Sequence, residues 1–97
     1  MIRVKVHRKE GEVIVAICDE ELLGREFKEG RFVLRVEEGF YGGDLMTLEE
    51  GINQIGKCTI ANLVGERIVR AAIEAGYVRE ENVLIIGGVP HAQLVRI

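Results

Sequence analysis

The hydrophobic period changes along this chain, and that change limits what it can build. In the segments Ile2–His7 and Arg31–Val36 apolar residues recur at every second position, whereas from about Asn62 to Gly76 the residues Val64, Ile68, Ala71, Ala72 and Ala75 recur at helical spacing. A bundle of helices cannot use the first pattern, and a sandwich of strands cannot use the second. The chain therefore reads as α+β. Its 97 residues have room for one core, so 1–97 is taken as a single domain. At 47% hydrophobic and 30% charged, with a net charge of −3, it lies far from the composition of disordered chains.

The elements follow from local signals. Ile2–His7 places Ile2, Val4 and Val6 on one face and Arg3, Lys5 and His7 on the other. After the polar Arg8-Lys9-Glu10-Gly11, Glu12–Cys18 is apolar on both faces, which predicts a hairpin whose second strand is central. Asp19–Gly24 reads as one helical turn, capped by Asp19 and closed by Gly24. Arg31–Val36 is a third strand, with Arg31, Val33 and Arg35 opposite Phe32, Leu34 and Val36. Glu37–Asp44, rich in glycine around Phe40 and Tyr41, reads as a flexible connection. Thr47 and Glu50 have capping-box spacing and open a short helix that runs to about Gly56. A strand over Lys57–Ala61 and the main helix from Asn62 to Gly76 come next. Val83–Ile86 is a buried strand bounded by Gly87-Gly88, and Leu94–Ile97 forms a last, peripheral one. The expected architecture is a sandwich: a mixed sheet covered on one side by one long and one or two short helices.

Several function classes drop out. There is no serine, so no Ser-nucleophile mechanism is available. No apolar run approaches the roughly 20 residues of a membrane-spanning helix, and Met1–Val6 alternates where a secretory signal would be continuously apolar. A soluble cytoplasmic protein without membrane contact is expected. Cys18 and Cys58 form no CxxC motif and read as free thiols. Together with His7 and His91 they lack the local spacing of zinc sites, so no metal and no cofactor is expected. The absence of Ser and Trp, few amides, and abundant Glu, Arg, Val and Ile match the bias of thermophile proteins.

Five blocks carry a family likeness: Val4–His7, Ala16–Gly24, Phe40–Gly43, Ala61–Glu66 and Gly88–Gln93. In this order they resemble the archaeal domain-of-unknown-function family 424 over nearly the whole chain. The resemblance implies a small archaeal cytoplasmic protein and assigns no activity.

Three readings of the polar residues compete. In the first, Arg3, Lys5, His7, Arg31 and Arg35 make a basic stripe across neighbouring strands with Tyr41 as a stacking ring, a surface for RNA or a ribonucleoprotein. In the second, His91 and Gln93, held in a loop stiffened by Pro90, converge with Cys18 and Asp19 at a strand end and with a helix start at Asn62 and Gly65. Gly65 in a first helical turn signals a close approach there, by a neighbouring strand or by an anion, and the site would hold a small anionic ligand, with or without catalysis. In the third, the outer strand Leu94–Ile97 pairs with a protein partner or a second copy. Each of these residues also has an internal use: His91 on a backbone carbonyl, Cys18 as a small hydrophobe, and the strand charges as a solvated face.

Overall fold

The computed structural model describes residues 1–96. Its elements are β1 (Ile2–Lys9), β2 (Glu12–Asp19), β3 (Glu26–Glu29), β4 (Phe32–Arg35), α1 (Glu38–Tyr41), β5 (Asp44–Met46), α2 (Leu48–Ile55), β6 (Ile60–Val64), α3 (Glu66–Glu74), β7 (Leu84–Ile86) and β8 (Val89–Val95). Short 3-10 turns cover Glu20–Leu22 and Glu80–Asn82. Six strands form a mixed sheet in the order β5-β1-β2-β6-β8-β7, and β3 and β4 pair separately as a hairpin. β2 runs parallel to β6, while the other neighbours in the sheet are antiparallel.

The α+β class read from the sequence is the observed one. The even-numbered apolar residues of β1 and the odd-numbered ones of β2 and β6 turn to one face, where Ile2, Val4, Val15, Ile17 and Leu63 meet Ile55 of α2 and Ile68, Val69 and Ala72 of α3. Truncating a side chain as enclosed as Ile17 removes about 2–5 kcal/mol of stability. The helix α2 starts where the capping box places it: Glu50 N–H donates to Thr47 Oγ1 at 3.2 Å and Thr47 N–H to Glu50 Oε1 at 3.0 Å. The opposite face of the sheet is partly covered by a second, smaller core. There Ala16, Cys18, Val64 and Ile86 pack under Leu22, Leu34, Val36 and Tyr41, brought by the turn after β2, the β3–β4 hairpin and α1.

Several boundaries differ from the sequence reading. The strand expected over Lys57–Ala61 lies at Ile60–Val64, and the main helix begins at Glu66, not at Asn62. Val64 and Ile68 stand four apart, so the helical pattern extends backwards into a strand that is itself apolar on both sides. β3 carries no strand signal of its own, because Glu26-Phe27-Lys28-Glu29 offers a single apolar residue. The segment read as a flexible connection instead contains α1 and leads into β5; a Cβ on Gly43 would overlap the Val4 carbonyl, so glycine there permits β5 to lie against β1.

The supposed stiff loop around His91 and Gln93 is strand β8. Gly87 and Gly88, with φ of +57° and +82°, form the two-residue turn of the β7–β8 hairpin, a conformation open to glycine at both positions. Pro90 is accommodated inside the sheet because Gly65 N–H donates to its carbonyl at 2.9 Å, while the Gly65 carbonyl, which a donor at position 90 would seek, accepts instead from Val69 N–H of α3 at 3.0 Å. Leu94 and Val95 continue β8 and are held along β6; β7 flanks only Val89–His91 on the other side. Ile97, included in the expected last strand, lies outside the described residues.

Candidate functional site

The strand registers bring most of the sequence candidates onto one face of the sheet, opposite α2 and α3. Cross-strand partners share a face, so three rows can be read across it. Arg3, Cys18, Val64 and His91 form the first, Lys5, Ala16, Asn62 and Gln93 the second, and His7, Ile14, Ile60 and Val95 the third. The first row lies largely under the second core. The third, with Asn62 and Gln93 of the second, remains at least partly open to solvent.

In the covered part the polar groups are bonded within the protein, except Arg3 Nε, which is buried without a hydrogen-bond partner among the described residues. Cys18 is fully buried, and burial together with the adjacent Asp19 carboxylate pushes its thiol up to about 11. It is a core residue and not a nucleophile. His91 is two strands away, roughly 10 Å at ordinary strand spacing, and its Nδ1–H donates to the Leu63 carbonyl at 3.0 Å. No thiolate–imidazole pair forms.

Asp19 does not cap its own turn; it caps α3. Its carboxylate, 2% exposed, accepts from Arg67 N–H at 2.9 Å and Ile68 N–H at 3.1 Å. The anion anticipated at the helix start is thus a side chain of this protein. Gly65, at φ +120°, is the residue before the helix, and a Cβ on it would overlap the Asp19 carboxyl group. Its close approach is to that carboxylate. Arg67, absent from the sequence candidates, ties the same corner together: its guanidinium donates to both oxygens of Glu21 at 2.8 Å and to the Met1 carbonyl at 2.9 Å. That bidentate pair holds the Glu21 carboxyl down at about 2. No local motif joins residues 46 positions apart, so the sequence carries no signal for it.

Asn62 sits in the middle of β6, and its Oδ1 accepts from Gln93 Nε2 at 2.8 Å on the open part of the face. The convergence of a helix start at Asn62 with Cys18 and His91 is therefore replaced by a shared sheet face.

The basic stripe is shorter than the sequence implied. Arg31 and Arg35 belong to the separate hairpin, where Arg35 pairs with Glu26 at 2.6 Å, so they do not neighbour β1. Arg3 donates to the Gly43 carbonyl at 3.4 Å and lies 3.8 Å from Glu20. Tyr41 is 5% exposed, with burial pushing its hydroxyl to about 12, and cannot offer a stacking face. The accessible ring system is its neighbour: Phe40 stacks on His7 with centroids 4.9 Å apart and planes 14° from parallel, and His7 Nε2–H donates to the Phe40 carbonyl at 2.9 Å. Lys5 and His7 are the basic candidates left on the open face.

A groove of about 260 Å³ lies on the helix side, between α3 and the β7–β8 hairpin, lined by Val69, Arg70, Ile73, Val83, Ile85 and Pro90. None of the sequence candidates lines it. Among the described residues no helix is long and apolar enough to cross a membrane.

Residues 7–97 match the family model described as protein of unknown function, DUF424. The chain belongs to this family. A crystal structure of an uncharacterized conserved protein from Methanopyrus kandleri is similar to this DUF424 chain, with 30% identity and a TM-score of 0.82 over 99% of this chain and 94% of that one. No curated protein matches the chain.

Proposed function

We propose that this chain is a non-catalytic binding module for single-stranded RNA, alone or within a ribonucleoprotein, and that it binds through the open part of the sheet face. The observation that carries the reading is the coplanar set His7, Asn62 and Gln93, with Lys5 beside them and the His7–Phe40 stack at the margin. An open sheet face suits single strands because unstacked bases can lie flat on rings and aliphatic side chains such as Ile14 and Ile60. The Asn62–Gln93 pair supplies amide donors and acceptors for base edges, and Lys5 and the His7 ring supply contacts to the phosphate backbone. Buried free thiols at Cys18 and Cys58 suit the reducing cytoplasm, where such RNA is met.

With a net charge of −3 the protein has no long-range attraction for nucleic acid, so binding rests on this local patch and is strongest at low ionic strength. Fluorescence anisotropy with labelled single-stranded oligonucleotides tests the reading. Binding should weaken with added salt and be lost on combining Lys5→Glu with His7→Glu, whereas Arg35→Glu on the separate hairpin should leave it unchanged. Each phosphate contact removed should lower the salt slope by about 0.7. No binding at low salt, or binding indifferent to Lys5 and His7, would end the RNA reading.

A further inference from the structure

Seven large apolar side chains are well exposed among the described residues, and four of them, Phe32, Val33, Leu84 and Ile85, lie on β4 and β7, which pack against one another. Of these, Ile85 turns to the helix side and Leu84 to the opposite face, and β7 is the last strand of the sheet. Its free edge has a definite pattern. In a two-residue hairpin the closing pair, Ile86 and Val89, is hydrogen bonded, and so is Leu84 with His91; Ile85 between them turns its N–H and C=O outward. The donors that flank the strand on the same side are already used: Val83 N–H donates to the Glu80 carbonyl at 3.1 Å and Gly87 N–H to Glu29 Oε1 at 2.8 Å. One residue therefore presents both backbone groups, and its side chain is 53% exposed.

The charges around the edge differ from end to end. At the start of β7 stand Glu80 and Glu81, in the preceding turn. At its far end the β3–β4 hairpin brings Glu29, whose carboxylate takes the Gly87 N–H, Lys28, which pairs with Glu26, and, one residue past Gly30, Arg31. Neither Arg31 nor the two glutamates has an ion pair among the described residues.

We infer that β7 is a self-association edge: two copies of this chain pair antiparallel about a two-fold axis through Ile85. Antiparallel pairing sets each copy's start of β7 beside the other's far end, so the unpaired Glu80 and Glu81 face the partner's unpaired Arg31, and the contact is complementary to itself. The two Ile85 residues exchange both backbone hydrogen bonds, and Leu84, Phe32 and Val33 are sheltered at the seam. A partner of uniform charge would satisfy one end of the edge only; a second copy satisfies both. This surface is separate from the open sheet face around His7 and Gln93.

Sedimentation equilibrium of the 97-residue chain tests the inference. A dimer is expected, and Ile85→Lys should return it to monomer. Reversing one end, by Arg31→Glu or by Glu80→Arg with Glu81→Arg, should weaken association, and combining both reversals should restore it. These exposed charge substitutions keep the test decisive if Ile85→Lys disturbs folding. A protein that is monomeric throughout the concentration range overturns the inference. So does a dimer that ignores both charge reversals, or one lost on removing residues 94–97 and kept in Ile85→Lys.

Discussion

Two regions of the sheet behave oppositely. At the strand tips, where β2 and β6 end, Asp19 is bonded to the Arg67 and Ile68 amides and Arg67 to Glu21 and the Met1 carbonyl, while Cys18 is buried on the opposite face. On the face away from the helices, Lys5 and His7 of β1, Asn62 of β6 and Gln93 of β8 stand at least partly open, held by the Asn62–Gln93 pair and by the stack and hydrogen bond of His7 on Phe40. The tip region has the residue types of an active site and uses them for folding. The open region has the composition of an ordinary solvated strand face and is the part left free to bind. A polar residue's type therefore says less about function than whether its hydrogen bonds are already made.

This contrast predicts a graded set of mutational effects. The largest falls on Gly65→Ala, which adds a Cβ where the Asp19 carboxylate lies and imposes φ +120° on an L residue; a loss of roughly 3 kcal/mol or more is expected in urea denaturation. Asp19→Ala leaves the Arg67 and Ile68 amides without an acceptor and should cost about 2–3 kcal/mol by the same measurement. If either change proves neutral, the strand-tip region is not the structural lock described above.

A smaller effect depends on pH. The Glu21 carboxyl is near 2 in the folded chain against an ordinary 4.5, so its contribution is fully present above about 4.5 and is lost as pH falls through 2. Because the pair with Arg67 is largely exposed, its contribution is about 1 kcal/mol or less. Glu21→Gln should flatten that part of the stability profile without altering it near neutrality beyond a constant offset. The smallest effects belong to the open region. Lys5→Ala and Gln93→Ala should each change stability by no more than about 0.5 kcal/mol while reducing RNA binding, a dissociation that the strand-tip residues cannot show.

The fold was legible where one local rule governed. The alternation in β1, the doubly apolar β2 and the Thr47–Glu50 capping box each carry their own signal, and each appears as expected. Legibility failed where a single residue changes the regime. Gly65 alone separates the strand β6 from the helix α3, and with Val64 and Ile68 in helical phase the join is invisible to periodicity. The site was readable only in part for a related reason. Strand alternation correctly grouped Arg3, Lys5 and His7, but register, not composition, puts Asn62 and Gln93 beside them and sends Arg31 and Arg35 elsewhere. Asp19 has the residue type of a cap, yet its true partners are 48 and 49 residues away. Tyr41 and Phe40 are adjacent, and no sequence rule says which ring the helical turn buries.

The contrast between a closed strand tip and an open face is tested most directly by an NMR titration of isotope-labelled protein with a short single-stranded RNA at low salt. Shift changes confined to Lys5, His7, Phe40, Asn62 and Gln93, with the amides of Gly65, Arg67 and Ile68 unmoved, are the predicted result. Changes centred on the Asp19 corner, or none anywhere on the sheet, would contradict it.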